Sequence, residues 1–122
     1  MTEIQNSKQY DLENRTLYFA KEVAIYVNKL PLTVPNKEYG KQLVRSASSI
    51  GANYLEANEA LSRKDFLMRI KISRKEAKET RFWLQLAEVL PEMNTSKDKL
   101  IQEVTELMKI FGAIIEKSKP NV

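Results

Sequence analysis

The chain contains no cysteine and no histidine, and these two absences exclude more functions than any residue that is present indicates. Without cysteine there is no disulfide, no thiolate nucleophile and no cysteine-ligated metal. Without histidine the commonest general base is missing, and so is the Glu-x-x-His pattern by which helical bundles hold two metal ions. A carboxylate-only metal site needs converging oxygens, whereas the acidic residues here are scattered among lysines and arginines. We therefore expect a protein that is not an enzyme and that binds no cofactor or metal.

Glycine and proline are scarce as well, with three and four residues in a chain of 122. This scarcity, together with abundant Leu, Lys, Glu and Ala, favours helices. A hydrophobic content of 43% and a charged content of 30% argue against disorder. The length suits one domain with a core of its own.

Long apolar runs are absent too. No stretch approaches the roughly 18 consecutive apolar residues of a membrane span. Residues 1–6 lack the charged-then-apolar layout of a secretory signal. We expect a cytoplasmic protein without membrane association.

The first half of the chain contains two segments with apolar residues at helical spacing. One spans about residues 11–30 and ends before Pro31, because proline cannot continue a helix. Asn36 is a suitable N-cap for the second segment. The predicted apolar stripes are Phe19, Val23, Tyr26, Val27 and Leu30 in the first helix, and Tyr39, Leu43, Ile50, Tyr54, Ala57 and Leu61 in the second.

The second half contains two more such segments. Ser62 followed by Asp65 resembles a capping box and predicts the start of a third helix, which the pattern extends to Leu90. Thr95 is the predicted cap of a fourth helix, with Ile101, Val104, Met108, Phe111 and Ile115 on its stripe. Four helices with short connectors predict an all-α fold, an antiparallel up-down-up-down four-helix bundle. We expect it to span residues 11–118, after a flexible N-terminal tail at residues 1–10.

The third predicted helix carries two apolar stripes rather than one. Its first stripe is Phe66, Ile70, Ser73, Ala77 and Leu84. Winding the segment at about 100° per residue places a second stripe roughly 120–160° away. An ordinary surface helix needs only one stripe, facing its own core, and tryptophan is enriched at interfaces. We therefore predict that the second stripe, which also includes Leu90, is an interface between copies of the chain, formed by Met68, Ile72, Phe82, Trp83 and Leu86.

The sector between the two stripes is basic and comprises Arg63, Lys64, Lys71, Arg74, Lys75, Lys78 and Arg81. Residues 62–90 contain eight Lys or Arg and four Asp or Glu, and this surplus of four equals the net charge of the whole chain, +4. The positive field is thus concentrated on one helix. Binding of RNA or DNA through phosphates is one interpretation, and a solvated rim is the other. Because the aromatic residues are not interleaved with the basic ones, base stacking is not expected.

The second helix contains an unusual density of small residues over residues 45–53. Gly51 in mid-helix costs about 0.5–1 kcal/mol relative to alanine, so a close contact should offset it, either inside the bundle or between subunits. On the third helix Arg69 and Glu76 lie between the two stripes, where charges should pair with each other or across helices. Glu56, Glu76 and Glu79 have no nucleophile or metal ligand beside them, so no catalytic role is expected.

Three stretches in order, residues 45–57, 62–66 and 75–84, resemble bacterial four-helix-bundle proteins encoded in intervening sequences of 23S ribosomal RNA genes. The resemblance covers about residues 17–115. The accessory proteins of diversity-generating retroelements are similar and belong to the same wider group. The resemblance implies a left-handed bundle that assembles into a homopentameric ring with a positively charged surface, and no known enzymatic activity.

For the retroelement branch the resemblance further implies binding to a reverse transcriptase and to nucleic acid. It carries over structural positions only, namely Asn53, Glu56, Lys75, Glu76, Glu79 and Trp83. Two functions follow as hypotheses. The first is a self-associating protein whose basic surface binds RNA or DNA. The second is a protein–protein adaptor, for example of a reverse transcriptase, with no direct nucleic-acid role.

Overall fold

The computed structural model describes residues 8–119, with side chains from Leu12 onward. Within that range the chain forms four α-helices and one turn of 3₁₀ helix, and no strand. The helices are α1 (Lys8–Asn28), α2 (Val34–Asn58), α3 (Arg63–Leu86) and α4 (Asn94–Lys117), and the 3₁₀ turn is Pro91–Met93. Each helix packs against the next along the chain, and α4 returns to α1. This arrangement confirms the predicted all-α four-helix bundle.

The buried face of each helix forms one common core. Its largest fully buried side chains include Phe19, Phe111, Leu43, Ile50, Ile70 and Leu84. The predicted stripes of α1 and α2 and the first stripe of α3 are largely confirmed, but Leu61 is 98% exposed because it lies beyond the end of α2. In α4 the fully buried leucine is Leu107, whereas Met108 is only half-buried. Residues 100, 101, 104, 107, 108 and 111 are all apolar, so the spacing alone did not locate the centre of that face.

The ends of the helices differ from the predicted ends. Thr33, not Asn36, is the N-cap of α2, and its hydroxyl accepts a hydrogen bond from the Asn36 backbone N–H. The helix can begin before Pro35 because proline is tolerated in the first turn, where its missing N–H has no intrahelical partner to lose. The predicted Ser62 cap is confirmed, since its hydroxyl accepts from the Asp65 N–H at 3.0 Å.

α3 ends at Leu86 rather than Leu90, because Ala87 is already extended and Leu90 precedes a proline that starts a new turn. That 3₁₀ turn leads directly into α4, so the predicted cap Thr95 lies inside the helix and is wrong. α1 begins at Lys8, three residues earlier than predicted. Residues 1–7 of the predicted tail lie outside the described residues.

The small residues of α2 pack inside the bundle, on two sides. Towards α1, a Cβ added at Gly51 would lie 2.8 Å from the Thr16 hydroxyl oxygen. Towards α3, the Ser73 hydroxyl donates to the Ile50 carbonyl at 2.9 Å, and Thr80 Oγ1 lies 2.7 Å from Ser46 Oγ. Of the two interpretations of this segment, packing within the bundle is the one that the contacts support.

Candidate nucleic-acid interface

The acidic residues of α3 face α2. Glu79 Oε1 lies 2.9 Å from Nη2 of Arg45 on α2, and Glu76 Oε1 lies 3.3 Å from Nη1 of the same guanidinium. The predicted pairing across helices is confirmed for Glu76. Arg69 does not pair with Glu76 but donates to the Asn53 side-chain oxygen at 2.9 Å. Because these contacts all point to α2, the opposite side of α3 is left with cations.

The cations on that opposite side line a groove between α3 and α4. Its volume is about 490 Å³, and its lining residues are Arg74, Lys78, Arg81, Thr105, Met108, Lys109 and Gly112. Arg81 Nη1 lies 3.4 Å from the Thr105 hydroxyl, a long and weak contact. Among the described residues, none of the four cations of this groove takes part in an ion pair shorter than 4.0 Å. The groove therefore has the charge to bind an anion.

The seven basic residues predicted from the sequence do not form one site. Arg74, Lys78 and Arg81 line the groove. Arg63 is at the other end of the pair of helices, where its guanidinium donates to the Ser118 carbonyl at 2.8 Å and satisfies the C-terminal end of α4. The remaining three, Lys64, Lys71 and Lys75, are exposed and do not line the groove. Lys109 was not predicted, because α4 carries no surplus of positive charge that would mark it.

The second apolar stripe of α3 is only partly exposed. Met68, Phe82 and Leu86 are 48%, 53% and 39% exposed, as expected for an unpartnered face. Ile72 is half-buried. Trp83 is also half-buried and packs against the core, so it contributes to the fold of a single chain.

An aromatic cluster surrounds Trp83. Its ring centroid lies 6.0 Å from that of Tyr39 on α2 and 5.2 Å from that of Phe82. The indole N–H is buried without a hydrogen-bond partner among the described residues. Phe82 follows Lys78 by four residues and so lies beside it on the helix surface. The aromatic and basic faces are therefore less separate than the sequence pattern indicated.

Exposed apolar side chains also occur on α1, for which the sequence pattern predicted no interaction surface. Leu17, Tyr18 and Ile25 are 56%, 65% and 50% exposed. Tyr18 and Ile25 are seven residues apart and thus on one face. That spacing was a usable signal, which the buried stripe of the same helix obscured.

Two further features of the described residues concern metal ions and membranes. Residues 12–119 contain no group of three or more acidic side chains that could hold a metal ion. None of the described helices is long and apolar enough to cross a membrane.

Comparison with known proteins identifies the family. The family model of the 23S rRNA-intervening sequence protein matches residues 8–113. The chain belongs to this family. A crystal structure of a protein with unknown function from the S23 ribosomal protein family of Bacteroides thetaiotaomicron is 31% identical, with a TM-score of 0.77 over 90% of this chain and 99% of that chain. Comparison with curated proteins gives no match.

Four of the six positions that resemble the intervening-sequence proteins have structural contacts in this chain. Asn53 accepts from Arg69, and Glu76 and Glu79 lie against Arg45. Trp83 packs against the core. Glu56 and Lys75 are exposed. Most of these positions thus stabilise the α2–α3 pair and lie away from the basic groove.

Proposed function

We propose that this intervening-sequence protein is a non-enzymatic, cytoplasmic protein that self-associates into a ring, a pentamer, and binds RNA or DNA through phosphate contacts. The observation that carries the proposal is the division of charge on α3. Glu76 and Glu79, two of the three acids of the helix, pair with Arg45 on α2. Arg74, Lys78 and Arg81 line a groove and have no ion-pair partner among the described residues. A mere solubilising rim needs no such concentration of one sign in a concave site.

Self-association is supported by the positions of the exposed apolar residues. A cyclic ring needs two different patches, because each subunit presents one surface to the subunit before it and another to the subunit after it. The stripe on α3, with Met68 and Phe82, is one such patch, and α1, with Tyr18 and Ile25, carries another. Ring symmetry would also repeat the basic groove and strengthen its field.

A protein adaptor is the second candidate, for example for a reverse transcriptase. The aromatic cluster favours it, since Phe82 is half-exposed and the neighbouring buried indole N–H has no hydrogen-bond partner in the part of the chain that the structure describes. Such aromatic groups resemble the anchors of protein interfaces. In this case the basic groove would be a rim and nucleic acid would not bind.

Retention of nucleic acid separates the two candidates. Phosphate contacts give a log–log salt slope of about −0.7 per contact on single strands and about −0.9 on duplex DNA, with little dependence on base sequence. Reversing Arg74, Lys78 and Arg81 to glutamate should abolish binding in a filter or polarisation assay. The same change at three exposed lysines outside the groove, Lys21 on α1, Lys29 in the turn after α1 and Lys41 on α2, is the control of equal net charge and should weaken binding much less. If the wild type binds neither RNA nor DNA at about 50 mM salt, the adaptor candidate is preferred.

A further inference from the structure

We propose that the groove between α3 and α4 binds the phosphodiester backbone of one unpaired nucleic-acid strand. The proposal rests on the nucleic-acid binding proposed above and adds to it a defined path, one wall of which is α4. Arg74, Lys78 and Arg81 form the α3 wall, and Lys109 and Gly112 form part of the α4 wall.

The cations are spaced along the groove rather than gathered at one point. On α3 they lie four and then three residues apart, which at a rise of 1.5 Å per residue is about 6 Å and about 4.5 Å. Lys109 faces them from the antiparallel helix. A row of charges of this kind suits successive phosphates on a chain better than a single small anion.

Glu116, an acidic residue near the groove, already forms an ion pair with Lys119. Glu116 Oε2 lies 2.8 Å from Lys119 Nζ. Its pKa is lowered mainly by this hydrogen bond and by the charge of Lys119, and least by the charge of Arg74. Among the described residues that line the groove there is no carboxylate, so a phosphate entering it meets four cationic side chains and no negative charge.

The width of the groove selects an unpaired strand. Packed helices have axes about 8–10 Å apart, so the furrow between them is too narrow to admit a duplex, which could touch only its rim. A single backbone can lie inside it and contact both walls. The lysines outside the groove, Lys64, Lys71 and Lys75, remain available to a duplex as ordinary surface charges.

Gly112 makes the groove testable without a change of charge. The nearest atom to a Cβ built at Gly112 is Arg74 Nη1, at 4.0 Å, so the position opens into the groove. A methyl group fits there without a clash. A leucine side chain would occupy the space in which we place the strand, and leucine is a far better helix former than glycine.

The test measures binding of a labelled unpaired oligonucleotide of mixed sequence, and of the same sequence as a duplex, to the full chain. We expect Gly112→Leu to weaken single-strand binding about tenfold and to change duplex binding little. Lys109→Glu should also weaken single-strand binding and reduce its salt slope by about 0.7. Gly112→Ala and Lys99→Glu, an exposed lysine of α4 outside the groove, are the matched controls, and thermal unfolding checks that each variant is folded.

The outcomes separate the two proposals. One outcome is that the wild type binds and the triple reversal on α3 abolishes binding, but Gly112→Leu and Lys109→Glu do not weaken it. In that case the strand does not lie in the groove, and only the proposal that α3 binds nucleic acid is supported. If both variants weaken single-strand and duplex binding equally, the selection of an unpaired strand is wrong. If the wild type binds neither oligonucleotide at about 50 mM salt, both proposals fail.

Discussion

Gly51 and Gly112 are both helical glycines, but their surroundings are opposite. A Cβ at Gly51 would lie 2.8 Å from the Thr16 hydroxyl and 3.1 Å from its Cβ, so α1 and α2 approach there only because the side chain is missing. A Cβ at Gly112 meets nothing closer than 4.0 Å. Replacing either glycine by alanine gains the same helix propensity. Only the packing around each position therefore distinguishes the two substitutions.

This contrast predicts stability changes of opposite sign. Gly51→Ala should destabilise the protein by about 1 kcal/mol, because overpacking costs about 1–3 kcal/mol and exceeds the gain in propensity. Gly112→Ala should stabilise it by about 0.5–1 kcal/mol. Urea denaturation measures both. Adding Thr16→Ala to Gly51→Ala should recover part of the lost stability. If Gly51→Ala and Gly112→Ala stabilised the protein equally, helices α1 and α2 would be able to move apart without a loss of stability.

Tyr26 predicts a dependence of stability on alkaline pH. Its hydroxyl is buried without a hydrogen-bond partner among the described residues, and burial raises its pKa to about 12. Because the folded-state pKa lies above the unfolded value of about 10, the stabilisation is complete below pH 10 and is lost as the pH rises towards 12.

Tyr26→Phe should therefore reduce the fall in the free energy of unfolding between pH 10 and 12, with little change at pH 7. Burial also raises the pKa of Tyr54, so a smaller dependence should remain. Denaturation at several pH values is the measurement, and Tyr18→Phe, which removes an exposed hydroxyl, is the control. An unchanged pH profile in Tyr26→Phe would show that the Tyr26 hydroxyl is solvated in the folded state.

At the scale of the helices, Asn36 joins the two connectors at one end of the bundle. Its side-chain NH₂ donates to the Pro31 carbonyl at 3.0 Å and to the Glu88 carbonyl at 2.8 Å. Its side-chain oxygen accepts from the Glu88 N–H at 2.9 Å. Asn36 is 3% exposed, so these groups would have little access to water without it.

Asn36→Ala should destabilise the protein by about 1–3 kcal/mol, since it leaves buried backbone groups without partners. Asn36→Asp should be destabilising as well, because a carboxylate cannot donate to two carbonyls. Asn28→Ala, at an exposed position of α1, is the control in the same denaturation experiment. Wild-type stability in Asn36→Ala would mean that the connectors do not depend on this contact.

The helix ends show where a sequence pattern stops being informative. Ser62 was predicted as a cap because a serine before an apolar run, with an acidic residue three positions later, is a local signal. Asn36 carries the same kind of signal, yet its side chain bonds across the bundle to Glu88. The choice between a local and a distant partner depends on which backbone groups lie within reach, and periodicity does not contain that information.

At the scale of the whole molecule, the exposed apolar residues predict assembly. A mass several times 14.1 kDa is expected by sedimentation at micromolar concentration. Phe82→Glu and Met68→Glu should each dissociate the assembly without loss of helix, because both side chains are about half-exposed in one chain. Lys71→Glu, exposed on the basic sector of the same helix, should not. Trp83→Ala is less informative, since Trp83 also packs against the core.

A wild type that remains monomeric at high concentration would contradict this prediction. In that case the stripe on α3 would be the surface of an adaptor whose partner is another protein. If the monomer still binds nucleic acid, the proposed groove is supported and only the proposed ring is contradicted.

The candidate site was predictable in part. The basic sector of α3 could be found because charge and helical winding are properties of one segment. The sequence could not predict which residues of that sector line the groove, because the groove also depends on Lys109 and Gly112 of α4. For the same reason Tyr39 was assigned to the core stripe of α2, although it also stacks beside Trp83.

The sequence by itself determined that the chain is a bundle of four helices with a basic third helix, because periodicity, prolines and charge are local properties. Only the tertiary structure decided which cations share a groove and which acids pair with Arg45. It also decided that there is no room for a side chain at Gly51. These outcomes depend on the distances between helices. Side chains far apart in the sequence compete for the same partner or the same space, and packing resolves that competition.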